Sequence, residues 1–243
     1  MIEVEGLVKS YGSFRAVDGL SLRVEAGEIL GLVGPNGAGK TTTLRCMTGI
    51  IPPQQGRVRI DGHDLATEPV EAKSRLAFVP DEPRLFDHLT VSDHLTIMSR
   101  IYGVADGAAR GAELLDGFGL GDRKNAFPTE LSRGMKQKLM VAMALIHRPQ
   151  ALVLDEPLTG LDPAAMRQMK QRVKATAEEG VAVIISSHML RLVEELCHRI
   201  VIVNHGKKLL EGTLEEIRAA VPELGVDADF EEIFIQATGK DNA

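Results

Sequence analysis

Three stretches of the chain, Ile29–Val33, Ala151–Asp155 and Val181–Ser186, are almost unbroken aliphatic runs. Continuous runs of this length suit strands buried on both faces of a parallel sheet. Ile2–Val8, Gly19–Val24, Arg57–Ile60, Leu76–Pro80 and Arg199–Asn204 read as further strands, and His205-Gly206 as a hairpin turn into a last strand, Lys207–Glu211. Lys40–Gly49, Pro163–Glu178 and Met189–Cys197 carry helical spacing after several of these strands. Between Val91 and Arg148 the period changes. Met135, Leu139, Ala142, Met143 and Ile146 fall at i, i+4, i+7, i+8 and i+11, the stripe of an amphipathic helix. Val91–Tyr102 and Ala108–Phe118 read as helices too, so a mostly helical block interrupts an α/β core.

With 243 residues the chain can bury a sizeable core, and 44% hydrophobic with 26% charged residues is ordinary globular composition, which excludes a disordered or collagen-like chain. No apolar run approaches the roughly 20 residues of a membrane-spanning helix, and Met1–Lys9 has no signal-peptide character. A role at a membrane therefore requires a partner. The net charge of −6 is unevenly placed. From Glu211 onward nine acids face two bases, a balance of −7, which leaves the rest at +1. A near-neutral body with an acidic tail is not a nucleic-acid binder, which needs a basic face. Cys46 and Cys197 lie far apart and read as two reduced thiols.

Gly34-Pro35-Asn36-Gly37-Ala38-Gly39-Lys40-Thr41 matches the phosphate-binding pattern G-x-x-x-x-G-K-[ST], with a strand before it and a helix after it. Glycines are needed because backbone N–H groups turn inward around phosphate oxygens. Lys40 is placed to reach the β- and γ-phosphates and the Thr41 hydroxyl to bind Mg²⁺, with Thr42 next on the helix whose N-terminus favours anions. Asp155, at the end of an aliphatic strand, can hold the metal or its water, and Glu156 can activate the attacking water. These two motifs allow an ATPase, a GTPase or a kinase. Leu131–Gln137 opens a helix with Ser132 as N-cap, and alone it reads as a capped helix.

Taken in order, the motifs resemble those of the ATP-binding subunits of ATP-binding cassette (ABC) transporters, over nearly all of Met1–Gly212. Tyr11 looks like the aromatic residue that stacks on adenine. Leu131–Gln137 looks like the family signature, so the resemblance assigns Ser132, Arg133, Gly134 and Gln137 to a partner subunit's nucleotide. Leu158–Asp162 is similar to the loop through which Asp162 would link two sites, and His188 to the histidine that contacts the γ-phosphate. Asp81 stands where the family usually has Gln, and as an oxygen ligand it is assigned to Mg²⁺. The signature reads Leu-Ser-Arg-Gly-Met in place of Leu-Ser-Gly-Gly-Gln. Both departures resemble the ABC-2 type branch, mostly exporters.

The resemblance implies a P-loop ABC cassette over residues 1–212: an α/β RecA-like core, an N-terminal antiparallel β-subdomain and an inserted helical subdomain near 91–148. A short acidic extension, 213–243, would follow as a helix or two with a frayed end. It implies ATP and Mg²⁺ as ligands and hydrolysis that drives transport, export by the branch resemblance. A separate transmembrane permease subunit and a second ATP-binding subunit, simplest as a homodimer, would be the partners, on the cytoplasmic side of the cell membrane. A soluble ABC ATPase of the iron–sulfur assembly type carries similar motifs and remains the alternative. The segment Asp81–Asp87 is expected to receive the membrane partner, unless Leu85 and Phe86 fill the core beneath the helices instead.

Overall fold

The computed structural model describes residues 1–222 and 229–239. Its strands are β1 (Ile2–Tyr11), β2 (Phe14–Val24), β3 (Ile29–Val33), β4 (Gln55–Ile60), β5 (His63–Asp64), β6 (Leu76–Val79), β7 (Ala151–Asp155), β8 (Ala182–Ser187), β9 (Arg199–Asn204) and β10 (Lys207–Gly212). Its α-helices are α1 (Lys40–Met47), α2 (Pro69–Ser74), α3 (Val91–Ile101), α4 (Gly107–Gly117), α5 (Arg133–Leu145), α6 (Pro163–Glu178), α7 (Leu190–Leu196), α8 (Leu214–Ala219) and α9 (Phe230–Gly239).

The strands form two sheets. An antiparallel one runs β2-β1-β4-β5, and a six-stranded one runs β10-β9-β3-β8-β7-β6. In the larger sheet every pairing is parallel except that of β10 with β9. Burial on both faces explains its aliphatic runs. Ile29, Leu152, Leu154, Val183 and Ile185 pack with the helical block and with Met169 and Val173 of α6. The alternate residues Leu30, Leu32, Val153 and Ile184 pack with Leu44 and Met47 of α1 and with Val4, Leu22 and Ile60 of the small sheet. A third cluster seats Phe230 and Ile233 of α9 on Ile200, Ile202 and Val193.

Most differences from the sequence expectation lie in polar stretches. β1 continues past Val8 and β2 starts well before Gly19, because Ser10↔Arg15 and Tyr11↔Phe14 extend the ladder through polar residues. β5 and α2 are too short to show a period. Helix starts, by contrast, follow their caps. Thr90 and Asp93 close a capping box on α3, Ser132 caps α5, and Asp162 caps α6 with Pro163 in the first turn. Thr213 with Glu216 does the same for α8. The expected frayed end at 240–243 lies outside the described residues. Cys46 and Cys197 are free, and burial pushes the Cys197 thiol up to about 12, so it stays protonated.

Candidate active site

At the C-terminal end of the central parallel strand β3 the chain turns through residues 34–39 into α1. Gly37 and Gly39 adopt φ of 83° and 99°, the left-handed region that side chains avoid. The loop folds around its own lysine. Lys40 Nζ donates to the Gly34 carbonyl at 2.7 Å and to that of Pro35 at 3.2 Å. Burial pulls the Lys40 pKa down, and the charges of Glu156 and Asp155 oppose that shift. Gly34 lies against β9, where a Cβ would meet the Val203 carbonyl oxygen at 2.3 Å. Gly34 and Pro35 thus hold Lys40 in place, and the cleft itself begins at Asn36.

That cleft, of about 390 Å³, gathers residues from distant parts of the chain. Tyr11, Phe14 and Ala16 come from the small sheet, Asn36–Thr42 from the loop and α1, and Asp81 from the segment after β6. Arg133, Glu156, Thr159 and His188 complete it. Tyr11 is 50% exposed and pairs across the hairpin with Phe14, which the sequence reading missed. Its only signal was an aromatic three residues after Tyr11, across a turn.

β7 delivers two acids into different environments. Asp155 is 1% exposed. Its Oδ1 accepts from Ser186 Oγ at 2.6 Å and from Thr41 Oγ1 at 3.4 Å, while Oδ2 is buried without a partner among the described residues. Burial raises its pKa first, and the charges of Asp81 and Glu156 raise it further against those two hydrogen bonds. Glu156 sits at φ 48°, uncommon for a side chain and frequent at functional sites. Its N–H donates to Ser186 Oγ at 3.0 Å. Its Oε2 accepts from Thr159 Oγ1 at 3.3 Å and from His188 Nδ1–H at 2.9 Å. His188, assigned by resemblance to a γ-phosphate, thus meets Glu156 in this structure. Thr159 and Ser186 are site residues that the sequence reading did not single out.

The signature residues divide. Ser132 is exposed, and its Oγ accepts from Met135 N–H at 3.2 Å. Gly134 is half-buried beside Leu161. Arg133, assigned to a partner's nucleotide, lies within about 3 Å of where a Cβ on Gly160 would sit and lines this chain's own cleft. Gln137 departs from its assignment. It is 4% exposed, with Nε2 unpartnered among the described residues, so it faces the interior rather than a second subunit. Asp162 caps α6, accepting from Ala164 and Ala165 N–H at 2.9 Å each, and those bonds hold its pKa below the usual carboxylate range.

A glycine loop opening a helix, a buried lysine, a buried carboxylate beside a threonine hydroxyl and a second acid next to it suit a nucleoside triphosphate and its hydrolysis. Comparisons with known proteins agree. The family profile described as ABC transporter matches residues 17–159. The Nod factor export ATP-binding protein I of Paraburkholderia xenovorans (strain LB400) is 38% identical over 228 residues, spanning 93% of this chain and 74% of that protein. The solved ATP-binding subunit of an ABC transporter superposes with a TM-score of 0.91 at 32% identity, over 98% of this chain and 99% of that one. The dimeric ATP-binding cassette MJ0796, in a post-hydrolysis state bound to ADP and Pi, superposes with a TM-score of 0.81 at 25% identity, over 88% and 99%. Fold, cleft and relatives therefore converge, and the chain belongs to the ABC transporter family as an ATP-binding, ATP-hydrolysing subunit.

Proposed function

We propose that this ATPase powers export through a separate transmembrane permease subunit, as a peripheral protein on the cytoplasmic side of the cell membrane and as half of a head-to-tail homodimer. The observation that carries the chemistry is the Glu156 carboxylate, fixed at the cleft by Thr159 and His188 beside the buried Asp155. Lys40 and the loop amides bind the phosphates. Glu156 accepts the proton of the attacking water, and His188, hydrogen-bonded to it, orients that carboxylate.

The residues present fit Mg²⁺. Among the described residues no three His, Cys, Asp or Glu side chains cluster as a metal cage, but Mg²⁺ bound with a nucleotide takes only one or two carboxylates. The unpartnered Asp155 Oδ2 and the neighbouring Thr41 hydroxyl supply such a set, with Asp81 at the cleft as a further oxygen. The metal would neutralise charge on the phosphates.

Among the described residues no helix is long and apolar enough to cross a membrane, so transport calls for a partner. The relative named for export supports the direction, and the solved dimer supports pairing of two cassettes, with Ser132 and Gly134 of each facing the other's nucleotide. The segment Asp81–Asp87 supports the docking role. Leu85 packs against the core, but Phe86 is 63% exposed, and Arg84, paired with Glu82 at 3.6 Å, is exposed to solvent. The test is to read the neighbouring reading frames and co-express this subunit with a membrane protein found there. The two should purify together and hydrolyse ATP in liposomes at a rate that responds to the transported compound. Separate purification and an unresponsive rate would refute the transport role.

A further inference from the structure

We propose that the β9–β10 turn is part of the nucleotide machinery, with Gly206 as a positioning residue for a phosphate-binding amide. The turn's Gly206 N–H donates to the Ala38 carbonyl in the phosphate loop at 3.0 Å. No cis peptide bond occurs among the described residues. In a trans peptide the C=O and the next N–H point in opposite directions. Holding the Ala38 oxygen out toward the turn therefore aims the Gly39 N–H the other way, into the cradle that phosphates occupy. The Gly206 carbonyl in turn accepts from Asp18 N–H of β2 at 2.9 Å, which ties the turn to the small sheet.

The packing there leaves no room for an alternative. Three backbones meet: a Cβ on Gly39 would lie 2.1 Å from the Ala16 carbonyl oxygen and 3.5 Å from Gly206 Cα. A Cβ on Gly206 would lie 2.8 Å from the same Ala16 oxygen, and Gly206 has φ 77°. Both glycines close on one carbonyl, so the turn cannot shift without releasing the loop. Behind it Asn204 Oδ1 accepts from His205 N–H at 3.1 Å, and Asn204 Nδ2 donates to the Thr238 carbonyl of α9 at 3.1 Å.

Two variants test the assignment. Gly206→Ala puts a Cβ against the Ala16 carbonyl and so displaces the turn that holds Ala38. Exchanging Gly206 for glycolic acid by suppressor tRNA in cell-free translation replaces the donating N–H with an ester oxygen and adds no bulk, so it preserves the fold even if Gly206→Ala does not. Calorimetric binding of ADP and ATP, measured well below the melting temperature, is the readout. Because loop amides cradle the α- and β-phosphates, both nucleotides should bind several-fold more weakly, by a common factor. A purely structural role would lower the melting temperature and leave the affinity of the folded protein unchanged. Wild-type ADP affinity in the folded ester variant, or a loss confined to ATP, would overturn the proposal.

Discussion

Asp155 holds a carboxylate in a buried position with one oxygen unpartnered and two other acids near enough to raise its pKa. An unpartnered buried polar group costs about 1–3 kcal/mol, so the site is built at the expense of the nucleotide-free fold. Asp155→Asn should raise the melting temperature of that form by about 2–4 °C per kcal/mol recovered, and should abolish Mg²⁺-dependent hydrolysis. The sign with pH follows from the raised pKa: folding takes up a proton, so stability from this group is present at low pH and lost as pH rises through the folded value. The advantage of Asn at neutral pH should therefore shrink as acid protonates Asp155. A scan of melting temperature against pH checks both parts. Glu156→Gln keeps the shape and removes the base. ATP should still bind, and turnover should fall by about 10²–10⁴-fold; a rate near wild type would relieve Glu156 of that role. The residues with chemistry in their side chains were legible in sequence. Asn36–Thr42, Glu156 and His188 line one cleft, with Gly34 and Pro35 holding Lys40 behind it and Asp155 buried beside Thr41. Phe14, Thr159 and Ser186 were not legible, because an aromatic ring or a hydroxyl becomes a site residue only through what the fold sets beside it.

The helices drew their legibility from caps and the strands from burial. α3, α5 and α6 start where Thr90, Ser132 and Asp162 place them, and aliphatic runs marked the core strands. The polar halves of β1 and β2 carry no such signal, since their pairing is set by the hairpin. Ser132 shows how one residue can serve two levels. Its hydroxyl caps α5, so Ser132→Arg should cost about 1 kcal/mol of stability besides any effect on a partner's nucleotide. The proposed docking segment, Asp81–Asp87, makes a separate prediction. Phe86 N–H donates to the buried His94 Nε2 at 3.0 Å, and His94 Nδ1 meets the Thr90 carbonyl at 2.7 Å. α3 thereby holds the backbone of the segment while the Phe86 ring stays outside. Arg84→Glu with Phe86→Ala should leave melting temperature and ATP binding unchanged and prevent co-purification with the membrane subunit. Loss of the roughly 3–5 kcal/mol typical of a buried Phe would mean that the ring is core after all.

For the whole molecule, the proposed head-to-tail arrangement predicts complementation. Lys40→Ala and Ser132→Arg should each silence a homodimer, whereas a mixed dimer has one site with both defects and one with neither. ATPase activity should partly return on mixing, and a confirmed mixed dimer without activity would argue against shared sites. The order of the large sheet has a consequence for how the protein is made. Among the described residues β3, which carries the phosphate loop, pairs only with β8 and β9, and the loop is braced by Gly206. A ribosome must therefore translate on to Ala182–Asn204, at about 5–20 residues each second, before β3 acquires a strand neighbour. Throughout that interval both hydrogen-bonding edges of Ile29–Val33 lack their large-sheet partners, although Leu30 and Leu32 can already pack on α1 and the small sheet. Such nascent chains present unpaired strand edges that a chaperone would grip until β8 and β9 are made.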